Sequence, residues 1–508
     1  MLAVLLVALA TRWLAYTGFF GSDEVTYTES AFRVLRGDWT VDDYVGANRL
    51  GVNLPMAALA AVFGANEFGA AAFSLICSLA EVAVVTWAGW RWFGARTALV
   101  AGLLMATLPT QVHFGGRLMA DAPLCLAITA AFVLFFEGAR RRSSFLIFGA
   151  GICAGLSFWV KPVTMFVFAI LLCYPIVERR IDLRWLWMLP GTLLAMAANG
   201  WVFKLLTGDF WYVFANMRER RASGYLEAGT AAGQIASDAH YYLVFLFGKI
   251  YHTGLLGYLA VAAIAWMWLR RRAPDDGQGA ARRFVVFWFV GLMLILSLLP
   301  VGFNPLMIVP KQTNYMLMFV APLCLLAAWG IARLPTLLMA GATGATMAVG
   351  VLFALLLQGS VAVFTANSLA TLRQVQAQPG AVFYVMSNAY RAARFQALVG
   401  GVDVQPRVHH IQAWQHPGNS AAVAERYAVV DEESYDWDGS RPFKRPDDVP
   451  ACWVLAGELR GQPAGAGAAL LRTAAATPGL GGTAIGRRLE ALAVPRPARI
   501  YRLPEQGC

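Results

Sequence analysis

The sequence predicts a polytopic α-helical membrane protein with a soluble α/β domain at its C-terminus. Three observations carry that class. Of the 508 residues, 58% are hydrophobic and only 14% charged, which is apolar beyond the range of soluble globular proteins. Apolar runs of about 20 residues recur along the first 357 residues, the length a bilayer span requires. Arginines gather in short loops between those runs, the pattern of loops held on the cytoplasmic side.

Eleven spans are predicted, at about 2–19, 67–89, 97–112, 122–137, 145–160, 162–177, 184–206, 241–268, 284–300, 314–332 and 336–357. Five arginine-bearing loops then fall on one side: Arg91 and Arg96; Arg140, Arg141 and Arg142; Arg179, Arg180 and Arg184; Arg270 to Arg272 with Arg282 and Arg283; and Arg333. That side is expected to be cytoplasmic, with the N-terminus on it. The opposite face receives the long loop 20–66, the turn 113–121, the Lys161–Pro162 turn, the loop 207–240, the segment 301–313 and the tail. The basic cluster Arg218, Arg220 and Arg221 breaks the rule, which long exported loops tolerate. The formal charge of +11 therefore reflects membrane topology, and no nucleic-acid partner is expected. The first span lacks the basic leading region of a secretory signal and is followed by further spans.

The domain boundary is placed at 357/358, where hydropathy falls and strand-like runs begin: "AVFYVM", "RYAVVD", "CWVLAGEL" and "ARIYRL". A helix, "NAYRAARFQALVG", lies between the first two and ends at glycine. The Ala/Gly-rich stretch "AGAGAALLRTAAATPGLGGTAIG" is expected to be partly flexible. Residues 358–508 are enough for a core of their own. Cys77, Cys125, Cys153, Cys173 and Cys324 fall in predicted spans as packing residues, whereas Cys452 and Cys508 can pair if the tail is exported.

Chemistry-bearing residues collect on the outer face. Asp23 and Glu24 stand where the first span ends, followed by Tyr27, Ala31 and Leu35 at helical spacing. Ser22 or Asp23 capping that helix is the plain alternative. His113, Arg117 and Asp121 are spaced four apart, so one helix would carry them as a polar stripe. Asp121 also suits a helix start before Ala-Pro. Arg12 lies within the first span, where a charge must pair, bind an anion or snorkel. Lys161 and Lys311 are further cations near the outer leaflet, able to meet a lipid phosphate. Tyr315 either stacks on a sugar or belongs to the interfacial aromatic belt.

The stretch "DEVTYTESAFRVLRGDW" resembles the first external loop of the GT-C membrane glycosyltransferases, in the branch of the protein O-mannosyltransferases and the lipid A aminoarabinose transferase. Asp23, Glu24, Tyr27, Ala31 and Gly37 fit its pattern. "GGRLMADAPLCLAITAAFVLFF", "AGLSFWVKP" and "PKQTNYMLMFVAPLCLLAAWGI" resemble later segments in the same order, and the likeness covers roughly the first 335 residues. Where many members have Lys-Pro-Pro before the second span, this chain has "NRLGVNLP".

The resemblance implies a multi-pass protein of the bacterial inner membrane, with its active site and C-terminal domain periplasmic. It implies a polyprenyl-phosphate sugar as donor and a lipid, glycan or protein as acceptor. In that frame Asp23 is the base, with Glu24 and Asp121 orienting the acceptor or holding a divalent cation (Mg, Mn or Zn). Arg117, Lys161, Lys311 and Arg12 become phosphate partners, Tyr27 and Tyr315 contact substrate, and His113 is a weak metal candidate. The alternatives are an outer-leaflet glycan ligase or polymerase, and a lipid or sugar transporter without chemistry. Glu29, an acid on the same loop outside the motif, is expected to be dispensable.

Overall fold

Proline and glycine decide where the apolar runs break. Leu108 precedes Pro109 and is extended (φ −63°, ψ 128°), so the helix Ala95–Thr107 stops and Pro109–Gly115 sets off at 62° to it. Lys161 precedes Pro162 and is likewise extended (φ −144°, ψ 103°), which ends the helix Ser144–Val160 and starts a 3₁₀ segment, Pro162–Phe168. The computed structural model describes residues 1–508 except 43, 223–238, 270–276, 304–305, 310, 402, 416–424, 480–481 and 505–508. Arg270, Arg271, Arg272 and Cys508 thus lie outside the described residues. The chain forms two units, one of Met1–Trp13, Trp39–Pro55 and Ala72–Ala354, the other of Leu14–Asp38, Met56–Ala71 and Leu355–Cys508.

Each predicted span falls on helix, but the lengths differ. Among the described residues six helices are long and apolar enough to cross a membrane, and the bent pair at Pro109 is a seventh if it counts as one span. The remaining predicted spans correspond to shorter apolar helices: Leu2–Leu14, Ser144–Val160, the broken stretch Ala169–Glu178, and Leu256–Leu269 with its short preceding turns. Leu50–Phe63, read as loop, is a further apolar helix that contains Pro55. Thr336–Ala377 runs 42 residues, well past the predicted end at 357. At 1.5 Å per residue that is about 63 Å, roughly twice a bilayer's hydrocarbon core.

In the first unit, Ser144–Val160 packs against both Asp121–Arg141 and Met188–Thr207. A Cβ on Gly151 would stand 2.1 Å from the carbonyl oxygen of Met188, and one on Gly191 2.3 Å from that of Phe148. Small residues thus let two backbones touch, the usual means of helix association in lipid. Buried Glu137, near the end of Asp121–Arg141, accepts from Trp92 Nε1 (2.8 Å) and Arg141 Nε (2.8 Å), with Arg91 Nε at 3.6 Å. Arg283 reaches Glu178 at 3.5 Å. These bridges tie predicted same-side arginine loops together in pairs. A short antiparallel hairpin, β1 (Pro300–Phe303) and β2 (Leu306–Ile308), precedes the helix Leu317–Ile331.

The second unit contains a five-stranded mixed sheet of β3 (Ala381–Val385), β4 (Val408–His410), β5 (Glu425–Asp431), β6 (Val454–Leu459) and β7 (Ala498–Arg502), in the order β4-β3-β5-β7-β6. β3 lies parallel to β4 and β5, and the helix Ser387–Leu398 makes the crossover from β3 that parallel pairing demands. β7 pairs antiparallel with β5 and β6. Tyr384, Ile411, Val430, Tyr435 and Trp453 fill the core on one sheet face. The described part of the Ala/Gly-rich stretch contains the helix Ala466–Ala475 and the start of Ala484–Ala493. Cys452 is disulfide-bonded.

Candidate active site

The helix Glu24–Arg36 belongs to the second unit. It ends as the sequence suggests, with Gly37 left-handed (φ 78°) and its N–H donated to the carbonyls of Arg33 and Val34. Its beginning differs from the capping alternative. Asp23 occupies the N-cap position without a side-chain cap hydrogen bond, and its Oδ2 faces the Tyr27 hydroxyl at 3.4 Å. Glu24 turns back onto the chain that enters the helix. Its Oε1 accepts from the backbone N–H groups of Phe20 (2.5 Å) and Gly21 (2.7 Å), and its Oε2 from that of Ser22 (3.1 Å). Both acids are thus explained differently: Glu24 organises the turn, and Asp23 rides on it. Tyr27 and Ala31 are buried, whereas Leu35 is exposed.

In the first unit Asp121 and Lys161 meet. Lys161 Nζ donates to Asp121 Oδ1 at 2.6 Å, and Asn314 Nδ2 donates to the same oxygen at 2.9 Å. Asp121 Oδ2 is buried with no hydrogen-bond partner among the described residues. The ring of Tyr315 lies 5.5 Å from Lys161 Nζ, in cation–π range. Asp121 satisfies one of the three ammonium donors. The pairing follows from the fold: Asp121 begins one helix of an antiparallel pair, and Lys161 ends the other.

The polar stripe does not form as expected. The helix carrying His113 ends at Gly115, and a new one starts at Asp121, so only His113 and Arg117 meet, Nε2 to Nη1 at 3.3 Å. A guanidinium against the imidazole opposes a cation there. Among the described residues no three His, Cys, Asp or Glu side chains come together as a metal site. The described residues alone therefore do not assemble a site for the expected divalent cation.

Lys311 donates to the carbonyls of Ser297 (2.8 Å) and Val309 (3.0 Å). Arg12 does not snorkel. It is buried, with Nε on Ser78 Oγ (2.8 Å) and Nη1 on the carbonyls of Ala8 (3.0 Å) and Ala106 (3.2 Å). It is electrostatically coupled to Glu81, which sequence reading missed. Glu81 accepts from Gln111 Nε2 and Thr129 Oγ1, each at 2.8 Å. Its signal was present: it is the one acid in the apolar core of Glu67–Phe93, and an ionisable group inside a span is a functional candidate by default. Asn314, next to Tyr315, is likewise a site residue that the sequence reading did not single out.

Residues 50–202 match the family model described as dolichyl-phosphate-mannose-protein mannosyltransferase. Among solved structures, the chain is similar to ArnT from Cupriavidus metallidurans in the apo state, with a TM-score of 0.55, 16% identity, and coverage of 86% of this chain and 93% of that one. The structure of the same protein bound to undecaprenyl phosphate gives 0.53, 17%, 86% and 94%. The Archaeoglobus fulgidus oligosaccharyltransferase in complex with Zn and sulfate gives 0.51, 13%, 91% and 72%. At these identities the likeness is one of fold. The chain has an ArnT-like fold, and its apolar helices make it a multi-pass membrane protein.

Proposed function

We propose that this GT-C membrane protein transfers a sugar from a polyprenyl-phosphate donor to a hydroxyl or phosphate of a lipid, glycan or protein, on the outer face of the bacterial inner membrane. The acceptor oxygen attacks the anomeric carbon, the bond from that carbon to the phosphate oxygen breaks, and polyprenyl phosphate leaves. Asp23 takes the acceptor proton. Lys161 offers its remaining ammonium donors to the departing phosphate, with Asp121 and Asn314 holding it in place. Arg117 is a second phosphate partner. Arg12 and Lys311 direct donors to internal groups and are better read as structural. Tyr27 and Tyr315 flank Asp23 and Lys161 respectively.

The observation that carries this reading is the division of labour between adjacent acids. Glu24 braces the turn before the helix, and Asp23 heads the helix without a side-chain cap hydrogen bond, so capping does not account for Asp23. The similarity to ArnT, whose solved structure holds undecaprenyl phosphate, supports a polyprenyl-phosphate ligand. A transporter keeps some support from the interruptions at Pro109 and Pro162, since broken spans mark transport sites. One experiment separates the two: mass spectrometry of lipids, envelope glycans and exported proteins from cells with and without the protein. Loss of a transferase abolishes one sugar modification while the lipid-linked donor persists. If no modification changes, the transferase reading fails.

A further inference from the structure

We propose that the C-terminal α/β domain is part of the catalytic apparatus: through Arg391 and its neighbours on Ser387–Leu398 it fixes the turn that carries Asp23, which makes Arg391 a positioning residue for transfer. The inference rests on the reading of Asp23 as the base.

The turn Phe19–Asp23 and the sheet lie in the same unit, so their contacts are direct. Arg391 Nη1 donates to the Gly21 carbonyl at 2.7 Å, while its guanidinium stacks over Trp437 at 5.5 Å. One turn along the same helix face, Arg394 pairs with Glu29 on the helix that Asp23 heads. One turn before, Asn388 presses on Gly21 so closely that a Cβ there would stand 1.6 Å from Asn388 Oδ1. Gly21 also has φ +94°, so neither its backbone nor its surroundings admit a side chain. The phenylalanines of the turn are seated in the domain as well: Phe19 against Phe395 (5.4 Å between centroids), and Phe20 against Phe364 (5.1 Å) and Trp437 (5.8 Å).

The start of Ser387–Leu398 is itself pinned. Asp438 accepts from Ser387 N (2.9 Å), Ser387 Oγ (2.7 Å), Ser440 N (2.9 Å) and Ser440 Oγ (2.8 Å). His410 Nε2 lies 3.0 Å from Ser387 Oγ, while its Nδ1 accepts from Gln412 N at 3.3 Å. An accepting Nδ1 leaves the proton on Nε2, so His410 donates to Ser387 and the serine proton goes to Asp438. This cluster is a brace for the helix, not a nucleophile with its base. The turn is therefore gripped twice, from within by the Glu24 carboxylate on the amides of residues 20–22, and from the domain by Arg391 on the carbonyl of residue 21.

The test uses the full chain in nanodiscs, with Arg391→Ala, Arg391→Lys, Arg394→Glu and the swap Glu29→Arg/Arg394→Glu. Two readouts are taken: hydrogen exchange of the peptide spanning 16–27, and the initial transfer rate in membrane vesicles carrying the cell's own lipid-linked sugar. Arg391→Ala is expected to speed exchange at residues 20–22 at least tenfold. It should lower the saturated rate about 10- to 100-fold, the scale of an ångström-sized misplacement of a catalytic group. Arg391→Lys should recover part of both, and the swap should recover most of what Arg394→Glu loses. Unchanged exchange in Arg391→Ala, or a swap no better than Arg394→Glu alone, overturns the proposal. The base reading fails separately: Asp23→Asn would then transfer at a normal rate, whatever exchange shows in the arginine variants.

Discussion

Asp23→Asn and Glu24→Gln exchange the same atoms one residue apart, and the structure assigns them opposite consequences. Asp23 makes no side-chain cap hydrogen bond, so an amide there removes no cap, and its Tyr27 contact at 3.4 Å is long. The stability change should stay within about 0.5 kcal/mol. If Asp23 takes the acceptor proton, the amide cannot, and the rate should fall ~10²–10⁴-fold. Glu24 has three backbone N–H groups on its two oxygens. Glutamine keeps one oxygen and turns an amide donor toward a donor, leaving a buried group unsatisfied at a cost of about 1–3 kcal/mol. The assay pairs thermal unfolding of purified protein with sugar transfer at matched insertion levels. Expected are a silent melt with a lost rate for Asp23→Asn, and a lowered melt for Glu24→Gln. Asp23→Asn transferring within a few-fold of wild type would refute the base. Repeating transfer with chelator, then with Mg²⁺ or Mn²⁺ restored, separates a base from a metal ligand.

Lys161→Met leaves the Asp121 carboxylate buried with Asn314 as its remaining partner among the described residues, and should destabilise by about 3–5 kcal/mol; Lys161→Met/Asp121→Leu should recover most of that in the same melts. Glu29, expected from sequence to be dispensable, pairs with Arg394 with both side chains about one-third exposed, so Glu29→Gln should cost no more than about 1 kcal/mol, read as a small downward melt shift. Burial opposes the Asp438 charge, but hydrogen bonds from Ser387 and Ser440 outweigh it and hold the carboxyl below its usual range. A lowered folded pKa stabilises above the unfolded value, near ~3.9, and that contribution is lost as pH falls through the folded one. The stability gap between wild type and Asp438→Asn should thus be flat from about pH 5 to 7 and close only below about pH 4; a gap already closing near pH 6 would contradict the hydrogen-bond account.

Hydropathy made the spans legible because lipid imposes one requirement, internal backbone hydrogen bonding over an apolar length. It could not say which runs would break. Pro109 and Pro162 were visible, but their effect depends on the backbone of the residue before, and Lys161 gains its position from that effect. Leu50–Phe63, read as part of the loop 20–66, is a helix that accommodates Pro55. The His113–Arg117–Asp121 spacing was real, but Gly115 and Gly116 interrupt the helix that the spacing assumed. In the tail the four strand-like runs became β3, β5, β6 and β7, while the three-residue β4 left too little pattern to find. Asp23 and Glu24 were found as a pair, but their different roles depend on which carboxylate turns back toward residues 20–22. Arg391 and Asn388 were unreadable because their partner, Gly21, lies about 370 positions upstream.

The Asp121–Lys161 pair also bears on how the protein is made. The two residues stand at matching ends of an antiparallel helical hairpin whose turn holds Arg140, Arg141 and Arg142. If those arginines stay on the synthesis side, both hairpin ends must reach the far side during insertion. A lone acid or amine at the bilayer centre costs about 2.5–3.5 kcal/mol on the insertion scale. Joined as a neutral pair, the two would meet a lower barrier if the helices leave the translocon together rather than in succession. The 17-residue partner, Ser144–Val160, is shorter than a typical span and gains most from entering beside its longer neighbour. The contact that holds the ammonium in the folded protein would then have served earlier, in carrying two charges through the lipid.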